Sequence, residues 1–270
     1  MPPRGLRPSG LVLVDKPAGP SSFALVDELR RCTGAKAGHA GTLDPFATGL
    51  LLVLLGAATR LARYLVGLDK RYLTEVDLSG RTSTGDPEGE QLDESEPPDR
   101  QTLEGQLEEL RGEIALPIPA ASAVKIGGER AYRLARRGVT VEMPLRTTTV
   151  HELTLVEYDG RFARLDLRVS SGTYIRAIAA ALGGHCASLR RTEVGSFSIE
   201  AADGAQILPA AEALPFLPAL SVSPEEASAL RSGRPVAGAG EGPLRLLVDG
   251  ELVGVGRAES GVVRPESILP

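Results

Sequence analysis

The chain has 270 residues, 42% of them hydrophobic, enough for one large domain, or a domain with a small appendage, around a proper core. Trp is absent and aromatic residues make up only 4%, which excludes a broad aromatic platform for stacking single strands. Two cysteines exclude a disulfide framework, three histidines share no motif, no apolar run approaches the roughly 20 residues that span a bilayer, and the net charge of −5 excludes a uniformly basic surface.

The charge is unevenly distributed. Residues 1–71 carry 10 Lys/Arg against 5 Asp/Glu and residues 116–200 carry 12 against 8; residues 72–115 carry 3 against 13 and residues 201–270 carry 5 against 9. Two separated basic segments therefore offer local surface to phosphate if the fold brings them together. Cys32 and Cys186 read as small core residues. The opening Met1-Pro2-Pro3-Arg4-Gly5 lacks the apolar region of a signal peptide, so a soluble cytoplasmic protein is expected.

Leu11 to Val14 form a strand-like run closed by Pro17 and Gly19, with Lys16 at its exit as either a solvated charge or a phosphate contact. Ser22 predicts the N-cap of a helix with Leu25, Val26 and Leu29 as its stripe, Arg30-Arg31 near its end and Gly34 as its stop. The fourteen residues Gly38 to Leu51 (GHAGTLDPFATGLL) then set one carboxylate, Asp44, in a loop of small residues five positions after His39. Leu50 to Leu55 follows as a fully buried strand. A carboxylate in such a loop, braced by a buried strand, can be presented to a ligand. Asp-Pro also opens turns, so the residues by themselves leave Asp44 as a nucleophile or a turn cap.

Ala57 to Leu65 predicts a second helix. Lys70-Arg71-Tyr72 opens an alternating strand with Tyr72, Thr74, Val76 and Leu78 on one face, where a tyrosine is either core or a cavity wall. Pro87 to Asp99 is an acidic solvated loop, and residues 101–113 predict an amphipathic helix on Leu103, Leu107 and Leu110. Gly127-Gly128 precedes Arg130, Arg133, Arg136 and Arg137, which suggests a mobile basic element closing on phosphates. Residues 147–170 predict two strands, the second with Ala163, Leu165, Leu167 and Val169 buried. Ile175, Ile178, Ala179 and Leu182 mark a helix ended by Gly183, with Tyr174 and Arg176 beside its apolar stripe. After an Ala/Pro/Leu-rich boundary near 200–218, Leu244 to Val248 and Glu251 to Gly256 flank Asp249-Gly250 as a β-hairpin.

Several of these stretches, in order, resemble the motifs of one family. Gly10 to Ser22 carries GxxxxDKPxGxxS, and Gly38 to Leu51 carries GHxGxLDPxATGxL. Gly80 to Asp86, Pro119 to Lys125 with Ala131 to Arg136, Gly172-Thr173-Tyr174-Ile175-Arg176 and Leu189-Arg190-Arg191 follow. Together they resemble the TruB family of pseudouridine synthases, which modify uridine 55 in the T-loop of tRNA. The resemblance implies an α+β pseudouridine synthase fold, with a mixed, mostly antiparallel sheet and a central catalytic cleft over residues 1–205. A basic thumb-like insertion near 119–145 and a small β-rich, PUA-like RNA-binding domain over 219–270 complete it.

The resemblance also assigns roles. Asp44 is the nucleophile on a flipped-out base, and Arg176 forms an ion pair with it, an opposite charge that would keep the carboxylate ionised. Tyr72 contacts the base and serves the proton step. Tyr174 and Leu189 line the uridine pocket, and His39 takes the space the base vacates. Lys16, Lys125, Arg133 and Arg137 are the remaining RNA contacts. No cofactor, metal, membrane or obligate protein partner is implied, and a monomer acting on the tRNA T-stem-loop is expected. The competing reading is a tRNA-binding folding factor with a vestigial site. A two-carboxylate glycoside hydrolase is disfavoured, since no second acid accompanies Asp44 in these motifs and only Asp15 could approach it in space.

Overall fold

Every side chain from Leu50 to Leu55 is inaccessible, because both faces of this strand are covered. The computed structural model describes residues 8–137, 139 and 141–270, with the side chains of Ala135 and Arg136 left out; the opening Met1 to Gly5 therefore lies outside the described residues. In chain order the first unit comprises β1 (Gly10–Lys16), α1 (Ser22–Thr33), β2 (Ala37–His39), β3 (Thr48–Leu55), a 3-10 turn (Gly56–Leu61), α2 (Ala62–Val66) and β4 (Lys70–Asp77). Next come α3 (Arg100–Glu109), β5 (Gly112–Pro117), β6 (Lys125–Ile126), β7 (Glu129–Arg130), α4 (Ala131–Arg136), β8 (Leu145–Tyr158), β9 (Phe162–Val169), α5 (Ile175–Ala181), β10 (His185–Val194) and β11 (Phe197–Ser198).

The large sheet runs β1-β3-β10-β4-β9-β8-β5, with β2 added to β3 and β11 to β10. Its pairings are antiparallel except where β10 meets β3 in parallel, at Arg190–Thr48 and Arg191–Gly49. The sheet is thus mixed and mostly antiparallel, and the fold is α+β. The β3–β10 junction requires Gly49: its φ of 105° lies in the left-handed region, and a Cβ there would overlap the Arg191 backbone.

Alternation decides what faces the core. Tyr72, Thr74 and Val76 of β4 are buried, as are Ala163, Leu165, Leu167 and Val169 of β9, and all pack under α5 through Ile175, Ile178 and Ala179. On β3, Leu51, Val53 and Leu55 meet Val26 of α1, while Leu50, Leu52 and Leu54 meet Leu61 and Leu65.

Several local expectations are corrected. Ser21, not Ser22, caps α1, its hydroxyl accepting from the Ala24 N–H at 3.2 Å; Ser22 faces inward and is buried. The second helix is split into a 3-10 turn and the short α2. α3 ends at Glu109 because Gly112, at φ 81°, already starts β5. Gly127 and Gly128, both at positive φ, form the tight turn of the β6–β7 hairpin. Cys186 is buried, but Cys32 is exposed near the end of α1.

The second unit comprises β12 (Ala219–Ser221), α6 (Pro224–Arg231), β13 (Val236–Ala237), β14 (Gly242–Val248), β15 (Glu251–Glu259) and β16 (Val262–Ile268), in the order β12-β14-β15-β16-β13. Asp249 and Gly250, at φ 50° and 85°, form the two-residue turn between β14 and β15. This unit has its own core around Leu230, Leu244, Leu246 and Val263. Val255 and Leu269 reach across to Leu61 and Leu214, and Arg63 pairs with Glu266 at 3.3 Å, which joins the two units.

Candidate active site

Asp44 stands in the loop that joins β2 to β3. Such a loop turns its carbonyls inward, where unsatisfied groups cost about 1–3 kcal/mol each, and buried side chains from three other elements meet them. Lys16, with no exposed surface, donates from Nζ to the carbonyls of Pro17 (2.9 Å), Pro45 (3.0 Å) and Ala47 (2.7 Å). Ser22 donates to the Leu43 carbonyl at 3.0 Å and accepts from the Leu43 N–H at 2.8 Å. Arg191 donates from Nε to Leu50 at 2.7 Å and from its two terminal nitrogens to Thr42 and Gly41, both at 3.2 Å. The loop is therefore held on three sides before any ligand arrives.

The Asp44 side chain emerges 38% exposed, with its Oδ2 2.9 Å from Nε of Arg176. Nε makes no aligned hydrogen bond, so the contact is an ion pair. Arg176 is 3% exposed, in the first turn of α5 and in its buried face rather than beside it. Its other nitrogens donate to the Thr84 carbonyl at 2.5 Å and the Ala121 carbonyl at 3.0 Å. Behind it lies buried Asp86, 3.4 Å from Nη1. Two carboxylates thus share one guanidinium. Burial pushes the Asp44 carboxyl upward and Asp86 adds to this, while Arg176 and Lys16 pull it back; the net direction is up. Arg176 acts in the expected direction, favouring the ionised carboxylate, but desolvation outweighs it.

Around this pair is a cleft of about 270 Å³, near the lower end of small-ligand sites at about 300 Å³. Tyr72 (7% exposed) and Leu189 form its apolar wall, with Tyr174 at the N-terminus of α5. Asp44, Arg176, Tyr72, Tyr174 and Leu189, separated by up to 145 positions in sequence, all line this one space.

Other residues expected at the site are not brought to it. Lys16 is a brace and not an RNA contact, because its ammonium is buried and fully engaged. His39 ends β2 opposite Val53, half-buried, with Nδ1 unpartnered among the described residues. Burial and then Arg191 hold its pKa down, so its ring is neutral at physiological pH. Lys125, Arg133 and Arg137 are exposed on the β6–β7 hairpin and the segment around α4, away from the cleft lining. Arg137 pairs with Glu129 at 2.8 Å, and Arg133 lies 5.9 Å from the Tyr132 ring centre. Asp15, the only second acid foreseen, is engaged by Arg190 at 2.7 Å.

Sequence reasoning gave no site role to Asp86, Lys70, Arg146 or Arg191. Asp86 ends the Gly80–Asp86 signature: Thr82 donates to its carbonyl at 2.7 Å, and Thr84 donates to its carboxylate. Gly85, at φ 74°, lets this turn cross over Arg176. Lys70 lies two residues before Tyr72 on the same strand face, 6% exposed, its ammonium donating to the carbonyls of Val66 (2.7 Å) and Leu68. Burial, with help from Arg191, lowers it to about 8.

A family model described as TruB family pseudouridylate synthase (N terminal domain) matches residues 30–175, and one described as Pseudouridine synthase II TruB, C-terminal, matches residues 218–269. A tRNA pseudouridine synthase B from Thermobifida fusca is 40% identical over 95% of this chain and 97% of its own length. The chain belongs to the TruB family of pseudouridine synthases. The protein of the same name from Parasynechococcus marenigrum is 41% identical over 97% of this chain and 98% of its own. In three dimensions, a chain of an H/ACA RNP bound to a substrate RNA containing 2′-deoxyuridine matches with a TM-score of 0.72 at 23% identity. That match covers 97% of this chain and 85% of the other, and shows the shared fold.

The TruB loop depends on its braces, which gives a stability test. Lys16→Met keeps the buried stem and strands the Pro17, Pro45 and Ala47 carbonyls. Chemical denaturation should show a loss of about 1–3 kcal/mol; an unchanged midpoint would show that the lysine does not hold the loop.

Proposed function

We propose that this chain isomerises uridine in tRNA to pseudouridine, with Asp44 as the nucleophile. The observation that carries this reading is the Asp44–Arg176 pair in a cleft walled by Tyr72, Tyr174 and Leu189, on a chain 40% identical to a tRNA pseudouridine synthase B. The reaction breaks the N1–C1′ bond, turns the uracil, forms a C5–C1′ bond and removes the C5 proton. Uridine and pseudouridine are isomers, so no oxidant, reductant or group donor is consumed.

Each step has a residue suited to it. Asp44 attacks as a carboxylate, at the base or at the sugar, and the bond it forms is broken again before the product leaves, so the carboxylate is regenerated. Arg176 is anchored by two backbone carbonyls and Asp86, so it fixes the direction of that attack without reorganising. Tyr72, on the wall of the same cleft, serves the C5 proton step directly or through another base. The base must leave its stack at a cost of a few kcal/mol; the neutral His39 ring at the base of the loop is suited to abut the space it vacates. A pure RNA binder would gain nothing from burying one guanidinium between two carboxylates, which disfavours a folding factor with a relic site.

The reading extends to uridine 55 of the T-stem-loop as target. Exposed Lys125, Arg133 and Arg137 support it as a thumb against that stem, and the second five-stranded unit as a PUA-like RNA contact. The same reading takes the chain to act as a monomer.

Tritium release from tRNA labelled at uridine C5 tests the core of the proposal. Wild type should release it and Asp44→Asn should not, with tRNA affinity retained; release by the variant would remove the nucleophile assignment. The upward shift of Asp44 gives a pH test. Attack needs the ionised form, so kcat/KM should fall on the acid side, with its midpoint above the ordinary carboxylate range. Removing the opposing cation with Arg176→Gln should move that limb further up; an unmoved limb would mean the pair does not set it. For the thumb, Arg133→Ala combined with Arg137→Ala should weaken tRNA binding and lower the salt slope by about two counterions. An unchanged slope would exclude these arginines from the RNA contact.

A further inference from the structure

Four cations line the cleft: Lys70, Arg146, Arg176 and Arg191. Three are buried and have their donors engaged, by loop carbonyls or by the Asp44 and Asp86 carboxylates. Arg146 differs in every respect. It is exposed, it stands near the start of β8 just after the thumb segment, and among the described residues its guanidinium has neither a hydrogen bond nor an ion pair. Nor is it among the charges that act on Asp44, which are Arg176, Asp86 and Lys16.

Its place is nevertheless built. Gly172 opens the Gly172–Arg176 motif at φ 80°, and a Cβ there would overlap Nη2 of Arg146 and press on its Cζ and Nε. The guanidinium thus occupies the space over the Gly172 backbone that any other side chain would take. There it lines the cleft, and among the described residues its five donors are unspent.

A nucleotide that lays its base beside Asp44 and Tyr72 carries its sugar inward and leaves its phosphates at the rim. We propose that Arg146 holds a phosphate flanking the flipped nucleotide through a two-pronged contact, so that the cleft binds a nucleotide and not a base alone. This rests on the reading that the cleft takes a flipped uridine. Lys70, Arg176 and Arg191 do not compete for that role, being buried with their donors turned to protein oxygens.

The test uses T-arm hairpin RNAs carrying one neutral methylphosphonate linkage at successive positions around the target uridine, with filter binding to wild type, Arg146→Ala and Arg146→Lys. Wild type should lose affinity roughly tenfold at one linkage next to the target, the size of a single charge-assisted contact. Arg146→Ala should bind the unmodified hairpin that much more weakly, lose nothing further at that linkage, and show a salt slope lower by about one counterion. Arg146→Lys should recover part of the affinity and keep the sensitivity at the same linkage. The assignment is overturned if Arg146→Ala shows the wild-type methylphosphonate profile. Tritium release from the unmodified hairpin separates the two levels. Release without coupling at any linkage overturns the phosphate contact alone; no release overturns the reading of the cleft and this contact with it.

Discussion

A loop that presents a carboxylate to a substrate cannot also satisfy its own inward carbonyls, and this constraint organises the first unit. Between β2 and β3 the carbonyls of Gly41, Thr42, Leu43, Pro45 and Ala47 are met by Arg191, Ser22 and Lys16, which arrive from β10, α1 and β1. Two of these braces are buried cations, costly to bury unless every donor is matched. Here the donors are matched by backbone oxygens, so the cost becomes rigidity. The topology follows: β1 and β10 must flank β3 for their side chains to reach the loop, and Gly49 must be glycine for β10 to approach closely enough. Preorganisation of the Asp44 carboxylate is thus a property of the sheet order.

The same logic explains the tension in the charge arrangement. Arg176 faces Asp44 on one side and Asp86 on the other, so neither carboxylate has the guanidinium to itself. Asp86 holds Arg176 and, with desolvation, raises Asp44, leaving a carboxylate less readily ionised than a surface aspartate. A site tuned for stability would dispense with one of the acids. Keeping both fixes the guanidinium, so that it holds the Asp44 carboxylate in one direction.

Much of this was legible in the sequence, because its strongest signals are local. The apolar run Leu50–Leu55, the alternation at Tyr72–Val76, the Asp249-Gly250 turn and the Gly34 and Gly183 stops each write their element into adjacent residues, and the structure forms them there. Asp44, Tyr72, Tyr174, Arg176 and Leu189 were legible through motif resemblance and meet in one cleft. What stayed hidden depends on partners distant in sequence. Lys16 reads as a surface lysine until the carbonyls 29 and 31 residues away are seen above it. Ser22 looks like a cap because serine before an apolar stripe is a cap signal; its neighbour Ser21 takes that role, freeing Ser22 to tie Leu43. Asp86 was visible as the end of a signature, but nothing in its spacing relates it to a guanidinium 90 positions on.

The arginines as a group show where such a fold can meet an anion. On the open face of the large sheet Arg71 pairs with Asp166, Arg164 with Glu157 and Arg168 with Glu152, so that face neutralises itself. Within the cleft the buried arginines answer to carbonyls and aspartates. Among the described cations lining the cleft, this leaves Arg146 as the exposed one. Among the described residues Asp44 is the one acid lining the cleft. If the cleft takes a flipped uridine as proposed, the apolar wall of Tyr72 and Leu189 faces the base while the exposed charge of Arg146 is left for its backbone, so the two halves of a nucleotide meet different chemistry.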